Sequence, residues 1–381
     1  MVVAGLLALS LTAVPLTAWA QAGWYYIPSL SLYEEFDDNI FSSTNRTSDF
    51  ITRLSNGWKI GYRSRPFTLL LTSSLDGELF ANHHELDGLN RTQVGLESEW
   101  IPTLPLTLRL SALFTKTQTP SELAPNLGLQ LGRRDSTQLS LASSAVYRFD
   151  LRTSTELAYS YLQSESEGVT STTHEPRLRL VERLSHVDTG TLTYALRLTE
   201  SESNGAGNSN TGAGNSNTGA GNSSTLSHIV TLGWNRRLSA TTSVTLEAGP
   251  RITGSQLGAE VNAGVSHRFF RLVDASLGYS RSSSPIIGQT GTSDTQALSG
   301  HLSMEPLRSF RVVFGAILSQ VSTDRSDTTT EGAEVAASYR MTKWLSAVAR
   351  YRFSHSETDS TAIFHNIFTI GLEASYPIRV D

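Results

Sequence analysis

Apolar and polar residues alternate with a period of two along most of the chain that follows Gln21. The apolar positions of the two clearest segments are Leu106, Leu108, Leu110, Ala112 and Phe114, and Phe310, Val312, Phe314, Ala316 and Leu318. Polar residues such as Thr107 and Arg311 stand between them. Because successive side chains of a β-strand point to opposite faces, this alternation predicts strands with one apolar and one polar face.

Eighteen segments of the chain carry this alternation. They start near residues 24, 49, 66, 90, 106, 136, 153, 174, 189, 227, 241, 257, 272, 295, 309, 331, 344 and 364. Most are long enough to cross a bilayer, which takes about nine to eleven tilted residues. The pattern predicts an all-β protein, a transmembrane antiparallel up-and-down β-barrel of about 18 strands, with about 16 as the alternative.

The connections between these segments alternate between short and long. The short ones are residues 64–65, 150–152, 238–240, 307–308 and 342–343, and the long polar ones are residues 37–48, 117–135, 201–226, 282–294 and 355–363. Short turns at one end and long loops at the other are typical of bacterial outer-membrane barrels, with the turns in the periplasm. A soluble β-sandwich has strands of about five or six residues, and a propeller or β-helix would show a repeat of about 20 to 50 residues. The sequence shows neither pattern.

Aromatic residues recur near the ends of the apolar faces, close to the short turns. They are Trp58, Tyr62, Trp100, Tyr147, Phe149, Trp234, Phe269, Tyr339, Trp344 and Tyr376. Girdles of aromatic rings mark the headgroup level in membrane proteins. They support the prediction of a barrel in the outer membrane of a Gram-negative bacterium.

The apolar run over residues 1–20 predicts a signal peptide, followed by a single barrel domain over residues 21–381. Ala18 and Ala20 are small, as signal peptidase requires, and we expect cleavage after Ala20. No Lys or Arg precedes Arg46, so the usual basic start of a signal peptide is missing, which is compatible with an upstream start. An uncleaved helical anchor is the alternative, and Pro15 interrupts the run that would form it.

Composition excludes several classes of function. Mean hydropathy is -0.18 and 17% of the residues are charged, as expected where half of each strand faces a polar lumen. The net charge of -5 gives no reason to expect nucleic-acid binding. The chain has no cysteine, which excludes disulfides, thiolate metal sites and cysteine nucleophiles. We expect no cofactor.

One low-complexity segment repeats the sequence GAGNSNT at residues 205–211 and 212–218, with a third copy, GAGNSST, at residues 219–225. Gly, Ser and Asn cannot bury enough apolar surface to offset their chain entropy, so residues 201–226 are predicted to form a disordered external loop. A glycine-rich phosphate cradle is the alternative, but neither a GK[ST] motif nor a helical pattern follows.

Two clusters hold residue types that can carry chemistry. They are His83, His84, Glu85 and Asp87 in one loop, and His301, Ser303 and Glu305 on one strand face. Adjacent residues rarely bind one ion, so the first is interpreted as a solvated loop and no metal site is predicted. Residues two apart on a strand lie about 6.5 to 7 Å from one another, too far for a catalytic relay. We predict no catalytic residues and no enzyme activity.

The stronger feature is the polar face of the strands, which is rich in arginine. The candidates for lining the lumen are Arg53, Arg63, Arg109, Arg148, Arg177, Arg179, Arg197, Arg251, Arg281, Arg311, Arg340, Arg350 and Arg352. Glutamate and aspartate share this face. Two interpretations stay open: a water-filled pore whose arginines guide anionic or polar solutes, or Arg–Glu pairs that stabilise the wall.

The motif YEEFDDNIF at residues 33–41, at the end of the first strand, resembles the opening signature of the beta-barrel porin type 2 family. Related barrels are encoded near exopolysaccharide and PEP-CTERM sorting systems. The resemblance implies an outer-membrane location and a role in the passage or export of polysaccharide, and it supplies no catalytic residues. Asp37, Asp38 and Asn39 of the motif favour a turn at the outer end of the strand, and a cation site is the alternative.

The last strand, residues 364–380, resembles the recognition strand of such barrels, although the chain ends in Arg379, Val380 and Asp381 and not in an aromatic residue. The expected partners are outer-membrane lipid and lipopolysaccharide, the barrel-assembly machinery and polysaccharide, with no nucleic acid. Three functions remain possible on the sequence: a channel, a plugged structural or adhesive barrel, and an outer-membrane lipid hydrolase. The large strand number and the few candidate catalytic groups argue against the hydrolase, and we take the channel as the main prediction.

Overall fold

A computed structural model describes residues 23–123, 132–203, 222–270, 272–285, 288, 291–323, 326–358 and 361–380. The predicted signal peptide and most of the predicted low-complexity loop lie outside these ranges. The two helices in the described ranges are three-residue 3-10 turns, His84–Leu86 and Pro120–Glu122. Neither is long or apolar enough to span a membrane.

The described residues fold into strands that follow one another around a single closed sheet. The strands are β1 (Gly23–Asp37), β2 (Asp49–Arg63), β3 (Phe67–Phe80), β4 (Gly88–Thr103), β5 (Leu106–Thr117), β6 (Ser136–Arg148), β7 (Thr153–Ser166), β8 (Val169–Glu182), β9 (Asp188–Ser203), β10 (Ser223–Arg237), β11 (Thr242–Thr253), β12 (Gln256–Phe269), β13 (Val273–Pro285), β14 (Thr292–Leu307), β15 (Phe310–Ser322), β16 (Asp327–Arg340), β17 (Leu345–Thr358), β18 (Thr361–Ser375) and β19 (Ile378–Val380). Each pairs antiparallel with its neighbours in chain order, and β1 pairs with both β2 and β18. The three residues of β19 continue the pairing of β18 along β1. The predicted architecture, an 18-stranded antiparallel barrel, is confirmed.

The outward face of the barrel is an exposed apolar belt. On β1, Trp24, Leu30, Leu32 and Phe36 share this face and are all exposed. At ~3.3 Å per residue and a strand tilt of about 40°, the stretch from the first to the last of them covers roughly 30 Å along the barrel axis. That length matches the hydrocarbon core of a bilayer. Several predicted girdle aromatics are exposed at the short-turn end, among them Trp100, Tyr147, Trp234, Phe269 and Tyr339.

The connections at the two ends differ less than predicted. At the short-turn end they contain two to five residues, as expected. At the outer end β7 and β8 are joined by Glu167 and Gly168 alone, whose φ angles of 53° and 74° suit a tight hairpin turn. The predicted loops over residues 282–294 and 355–363 are too long, because strands extend to Pro285 and Thr358. Small polar residues such as Ser282, Ser284 and Ser356 lie in strands, and polarity alone cannot distinguish a loop from a lumen-facing row.

The outer end also holds the small apolar core of the barrel, formed by Ile40, Ile51 and Phe80. Ile40 lies in the connection between β1 and β2, so this loop packs over the interior side of β2 and β3. Phe41 and Leu86 pack against the same core. The core therefore fixes two outer loops over one side of the lumen.

A clasp closes the seam between the first and last full strands. Asp38 accepts hydrogen bonds from the backbone N–H and the side-chain amide of Asn366, each at 2.7 Å. The Asn39 side chain donates to the carbonyl oxygens of Ser43 and Phe364. These contacts join the predicted turn after β1 to β18, so the acidic motif has a structural role at the point where the barrel closes.

Candidate functional site

The strand register shows which of the thirteen arginines predicted to line the lumen lie on interior rows and which on outward rows. Twelve lie on the interior rows, as Arg53 does opposite Glu78 and Arg352 opposite Glu334. The twelve are Arg53, Arg63, Arg109, Arg148, Arg177, Arg179, Arg197, Arg251, Arg311, Arg340, Arg350 and Arg352. Arg281 differs, since it lies opposite Val261 on an outward row. The register places its backbone position on the outer face, although the residue lines the same cavity as interior residues such as Arg177 and Arg197.

The interior arginines are divided between paired and unpaired groups. Arg350 and Arg352 both approach Glu334, with nitrogen–oxygen distances of 3.6 and 3.1 Å. Arg53 lies 2.7 Å from Glu78. Within the described ranges, no ion pair involves Arg63, Arg148, Arg281, Arg311 or Arg340. Some arginines therefore stabilise the wall, and others keep their charge available.

In one part of the interior the side chains are exposed, and in another part they are buried. The side chains of Arg177, Arg350 and Arg352 are 44%, 43% and 46% exposed, although they point into the barrel. Solvent-accessible space therefore lies beside them. Small polar residues of the interior rows at the outer end are buried, with Ser136 and Thr330 each 1% exposed. The outer mouth is covered by chain segments that fold inward.

One of these inward segments is the outer end of the β13–β14 hairpin. The pairing of β12 with β13 stops at Val261 and Arg281, although both strands continue beyond this point. A guanidinium nitrogen of Arg197 on β9 donates to the carbonyl oxygen of Ser283 on β13 at 2.7 Å. Strands β9 and β13 are four places apart in the wall, roughly 19 Å at ~4.8 Å per strand. An arginine spans less than half of that, so the outer end of β13 bends into the lumen.

Two prolines interrupt the sheet in the neighbouring part of the wall. Pro176 lies in β8 and Pro250 in β11, and the pairing with β9 and β10 is interrupted at both positions. Proline has no N–H to donate, so it removes a bond from the sheet ladder. Gly249 precedes the second proline, and a Cβ there would collide with the carbonyl oxygen of Val230. Strands β10 and β11 therefore approach each other closely beside the arginine cluster.

Carboxylates hold the inward hairpin in place. Glu260 of β12 lies 3.2 Å from Arg197 and 3.2 Å from Arg251. Arg251 also contacts Asp294 of β14. Because Arg251 is only 6% exposed, its two carboxylate partners offset much of its desolvation. The hairpin is thus fixed to the wall by a charge network that spans β9 to β14.

A second inward segment approaches from the opposite side of the mouth. Arg133, in the connection between β5 and β6, lies 2.9 Å from Glu78 and over the ring of Phe80. Its neighbour Arg134 lies 2.6 Å from Glu167 at the β7–β8 turn. A Cβ on Gly288, between β13 and β14, would lie 3.2 Å from the Arg134 guanidinium. The two segments meet over the lumen.

Beside the hairpin network, four arginines and three glutamates line a cavity of about 300 Å³. These charged residues are Arg177, Arg179, Arg197 and Arg281, with Glu175, Glu247 and Glu260. Glu175 accepts from Arg177 at 2.8 Å and from Arg197 at 2.6 Å. The cavity therefore brings together four of the thirteen predicted arginines, from β8, β9 and β13.

The sequence pattern did not predict Arg133 and Arg134, or Asp294, which contacts Arg251, as site residues. Arg133 and Arg134 lie in the predicted loop 117–135, and Asp294 lies in the predicted loop 282–294, so the alternation did not include them. An adjacent pair of arginines in a loop otherwise poor in charge is the only available signal. The pairing itself depends on contacts between residues far apart in the chain.

Three acidic and histidine side chains approach one another at the seam. The ligand atoms of Asp37, Asp38 and His365 lie within 4.8 Å of one another, and His365 Nε2 is 2.7 Å from Asp37 Oδ1. The Asn39 N–H also donates to Asp37. Both carboxylates are thus engaged by the chain itself, and this geometry describes a clasp.

The two clusters weighed on the sequence have other partners. His83 lies 2.8 Å from Asp49 through its Nδ1, so it holds a loop to the start of β2. The Ser303 hydroxyl accepts a hydrogen bond from Arg311 Nε at 3.1 Å. His301 lies opposite Ser276. Neither arrangement provides the hydrogen-bonded relay of a catalytic triad.

No family model and no curated protein matches this chain. Solved structures do match: a mutant of the ferric enterobactin receptor of Pseudomonas aeruginosa has a TM-score of 0.50 at 10% identity, over 93% of this chain and 81% of that one. The FrpB iron transporter of Neisseria meningitidis has a TM-score of 0.50 at 12% identity, over 88% of this chain and 63% of that one. At such identities the likeness is one of fold. Together with the exposed apolar belt, it identifies the chain as an outer-membrane β-barrel.

Proposed function

We propose that the protein is an outer-membrane channel for polar or anionic solutes. The observation that carries the proposal is the half-exposed interior of the barrel. Side chains such as Arg177 and Arg352 point inward and yet remain accessible, which requires solvent-filled space beside them. A barrel filled by its own side chains would bury them.

The proposed preference for anions rests on the unpaired arginines. Within the described ranges, Arg63, Arg148, Arg281, Arg311 and Arg340 have no ion pair. Interior carboxylates such as Glu78, Glu175 and Glu334 have arginine partners, and Glu97 and Glu156 have no ion pair within the same ranges. The two interpretations of the arginine rows thus apply to different residues. Paired arginines hold the wall together, and the unpaired ones attract negative charge as in selective pores.

A closed barrel with a structural or adhesive role is the second candidate. The specific observation in its favour is the layer of buried residues at the outer mouth, where Ser136 and Thr330 are covered. In that case the inward segments would form a permanent plug, and the outer loops would bind a partner.

The proposed solute class and partners go beyond the fold. A role in exopolysaccharide passage rests on the motif at residues 33–41 alone, and polysaccharide remains a proposed solute. The exposed apolar belt supports contact with lipid and lipopolysaccharide, and the closing strands β18 and β19 support recognition by the barrel-assembly machinery.

Single-channel recording of the refolded chain Gln21 to Asp381 in planar bilayers tests the proposal. We expect stable conductance steps and a reversal potential that favours chloride over potassium. A barrel that shifts in mobility on heating before gel electrophoresis, and is therefore folded, yet carries no current would contradict the channel and favour the closed barrel.

A further inference from the structure

We propose that the arginine cavity beside the β13–β14 hairpin binds the oxyanion, a carboxylate or a phosphate, of a small polyhydroxylated solute. The inference deepens the proposed function, because it assigns the solute a binding site on the channel wall. It can still hold if the channel proposal fails, since binding and conduction are measured separately.

The charges of the cavity are unequal. Its lining holds four arginines against three glutamates, which leaves one positive charge in excess. Glu175 is held between Arg177 and Arg197. Glu260 contacts both Arg197 and Arg251. Arg251 does not line the cavity. The carboxylates are therefore already engaged, and an added anion would meet arginine.

The third glutamate, Glu247, is held mainly by hydroxyl groups. Thr231 and Thr193 donate to its Oε1 at 2.5 and 3.3 Å. Arg179 lies at 4.0 Å from the other carboxylate oxygen, at the outer limit of an ion pair. Arg179 is therefore weakly paired and can turn to a ligand.

Arg281 is the central residue of the proposal. Within the described ranges it has no carboxylate partner, and its Nε, like that of Arg179, is buried without a hydrogen-bond acceptor. A buried N–H that lacks an acceptor is costly, more so on a charged group. A carboxylate or phosphate accepts two parallel hydrogen bonds from one guanidinium, so it would satisfy such donors.

The remaining lining suits a solute with hydroxyl groups. Asn262, Ser280 and Ser282 provide uncharged donors and acceptors on the β12–β13 side, and Ala195 and Ile229 provide a small apolar surface. The cavity of about 300 Å³ is at the lower end of the range for small-molecule sites. The combination matches a compact polyol that carries one anionic group.

Isothermal titration of the refolded chain in detergent micelles tests the site. The probes are sodium gluconate, glucose 6-phosphate and glucose, at constant ionic strength. We expect both anions to bind saturably and glucose not to bind, and the tighter anion tells whether carboxylate or phosphate is the preferred group. The Arg281→Gln variant should weaken anion binding at least about tenfold, and Arg281→Lys should weaken it less.

A matched control and a second variant make the test decisive. Arg268 lies 2.7 Å from Asp274 at the short-turn end, so Arg268→Gln removes the same charge outside the cavity and should leave affinity unchanged. Arg179→Gln should weaken binding even if the Arg281 variant fails to fold. Equal binding of glucose, or an equal loss in the Arg268 variant, would overturn the site. Conductance without anion binding would refute the site alone, and anion binding without conductance would refute the channel alone.

Discussion

The bond between Arg197 and the β13–β14 hairpin provides a direct test of whether the hairpin restricts the lumen. An Arg197→Met substitution keeps much of the side-chain volume and removes the donor to the Ser283 carbonyl. The two carboxylates beside it keep a partner each, since Glu175 retains Arg177 and Glu260 retains Arg251. The change therefore affects mainly the bond that crosses the lumen.

The size of the effect follows from the chemistry of that bond. A hydrogen bond from a charged donor contributes about 1.5 to 3 kcal/mol to the folded arrangement. Since each 1.4 kcal/mol corresponds to about a factor of ten, the ratio of displaced to docked hairpin should rise about 10- to 150-fold. Arg251, with its bonds to Glu260 and Asp294, keeps the hairpin partly anchored.

Two measurements detect this shift. Hydrogen exchange monitored by mass spectrometry should show faster exchange at the outer ends of β13 and β14, where the N–H of Ser283 and its neighbours lies. Planar-bilayer recording should show more frequent or larger openings than in the parent chain. The Arg268→Met variant, altered at an exposed pair far from the hairpin, should resemble the parent in both. Unchanged exchange and unchanged conductance in a folded Arg197 variant would refute the idea that this bond holds a restricting segment.

Three further predictions concern the barrel itself. Gly249→Ala places a Cβ against a backbone oxygen of β10. It should lower the free energy of unfolding, measured by urea titration in liposomes, by about 1 to 3 kcal/mol. A variant as stable as the parent chain would show that the strands can separate there. Asp38→Ala removes the two hydrogen bonds that its carboxylate accepts from Asn366 and keeps the backbone bond to the Asn366 carbonyl oxygen. The seam should open at lower temperature in heated gel samples, with a loss of about 3 kcal/mol or more, and an unchanged transition would mean that the clasp is dispensable. Phe314→Arg on the lipid face should lower the free energy of unfolding by about 2 to 4 kcal/mol, and Val313→Arg on the interior face should lower it less. Equal losses of stability would contradict the assignment of the two faces.

The sequence was sufficient for the barrel because the membrane imposes one rule on every strand. A lipid-facing row must be apolar and its neighbours can be polar, so alternation locates strands such as β5 and β15 to within a residue or two. The same rule does not mark where a strand ends. Near Thr358 the interior row is small and polar in the strand, just as it would be in a loop.

The candidate site was less predictable because it depends on departures from the alternation. Arg281 lies on an outward row by register, at the last position where β13 pairs with β12, and it nevertheless lines the cavity. Asp294 pairs with Arg251 from within a segment that the sequence assigns to a loop. Such contacts are set by how far the wall bends, and no local pattern encodes that distance.

The interruptions in the sheet suggest why the site lies where it does. In a membrane wall, each backbone group that loses its partner is costly unless water or polar side chains are near. Pro176 and Pro250 both remove a donor from the ladder, and both lie beside the same cluster of arginines, glutamates and threonines. Water and polar side chains of the interior can form hydrogen bonds with the freed backbone groups. The free-energy cost of bending the sheet is therefore lowest on this side of the barrel. A bend at this position brings Arg197 of β9 to within 2.7 Å of the Ser283 carbonyl oxygen of β13, four strands away. The irregularity of the sheet and the charge network therefore occur together on one side of the barrel.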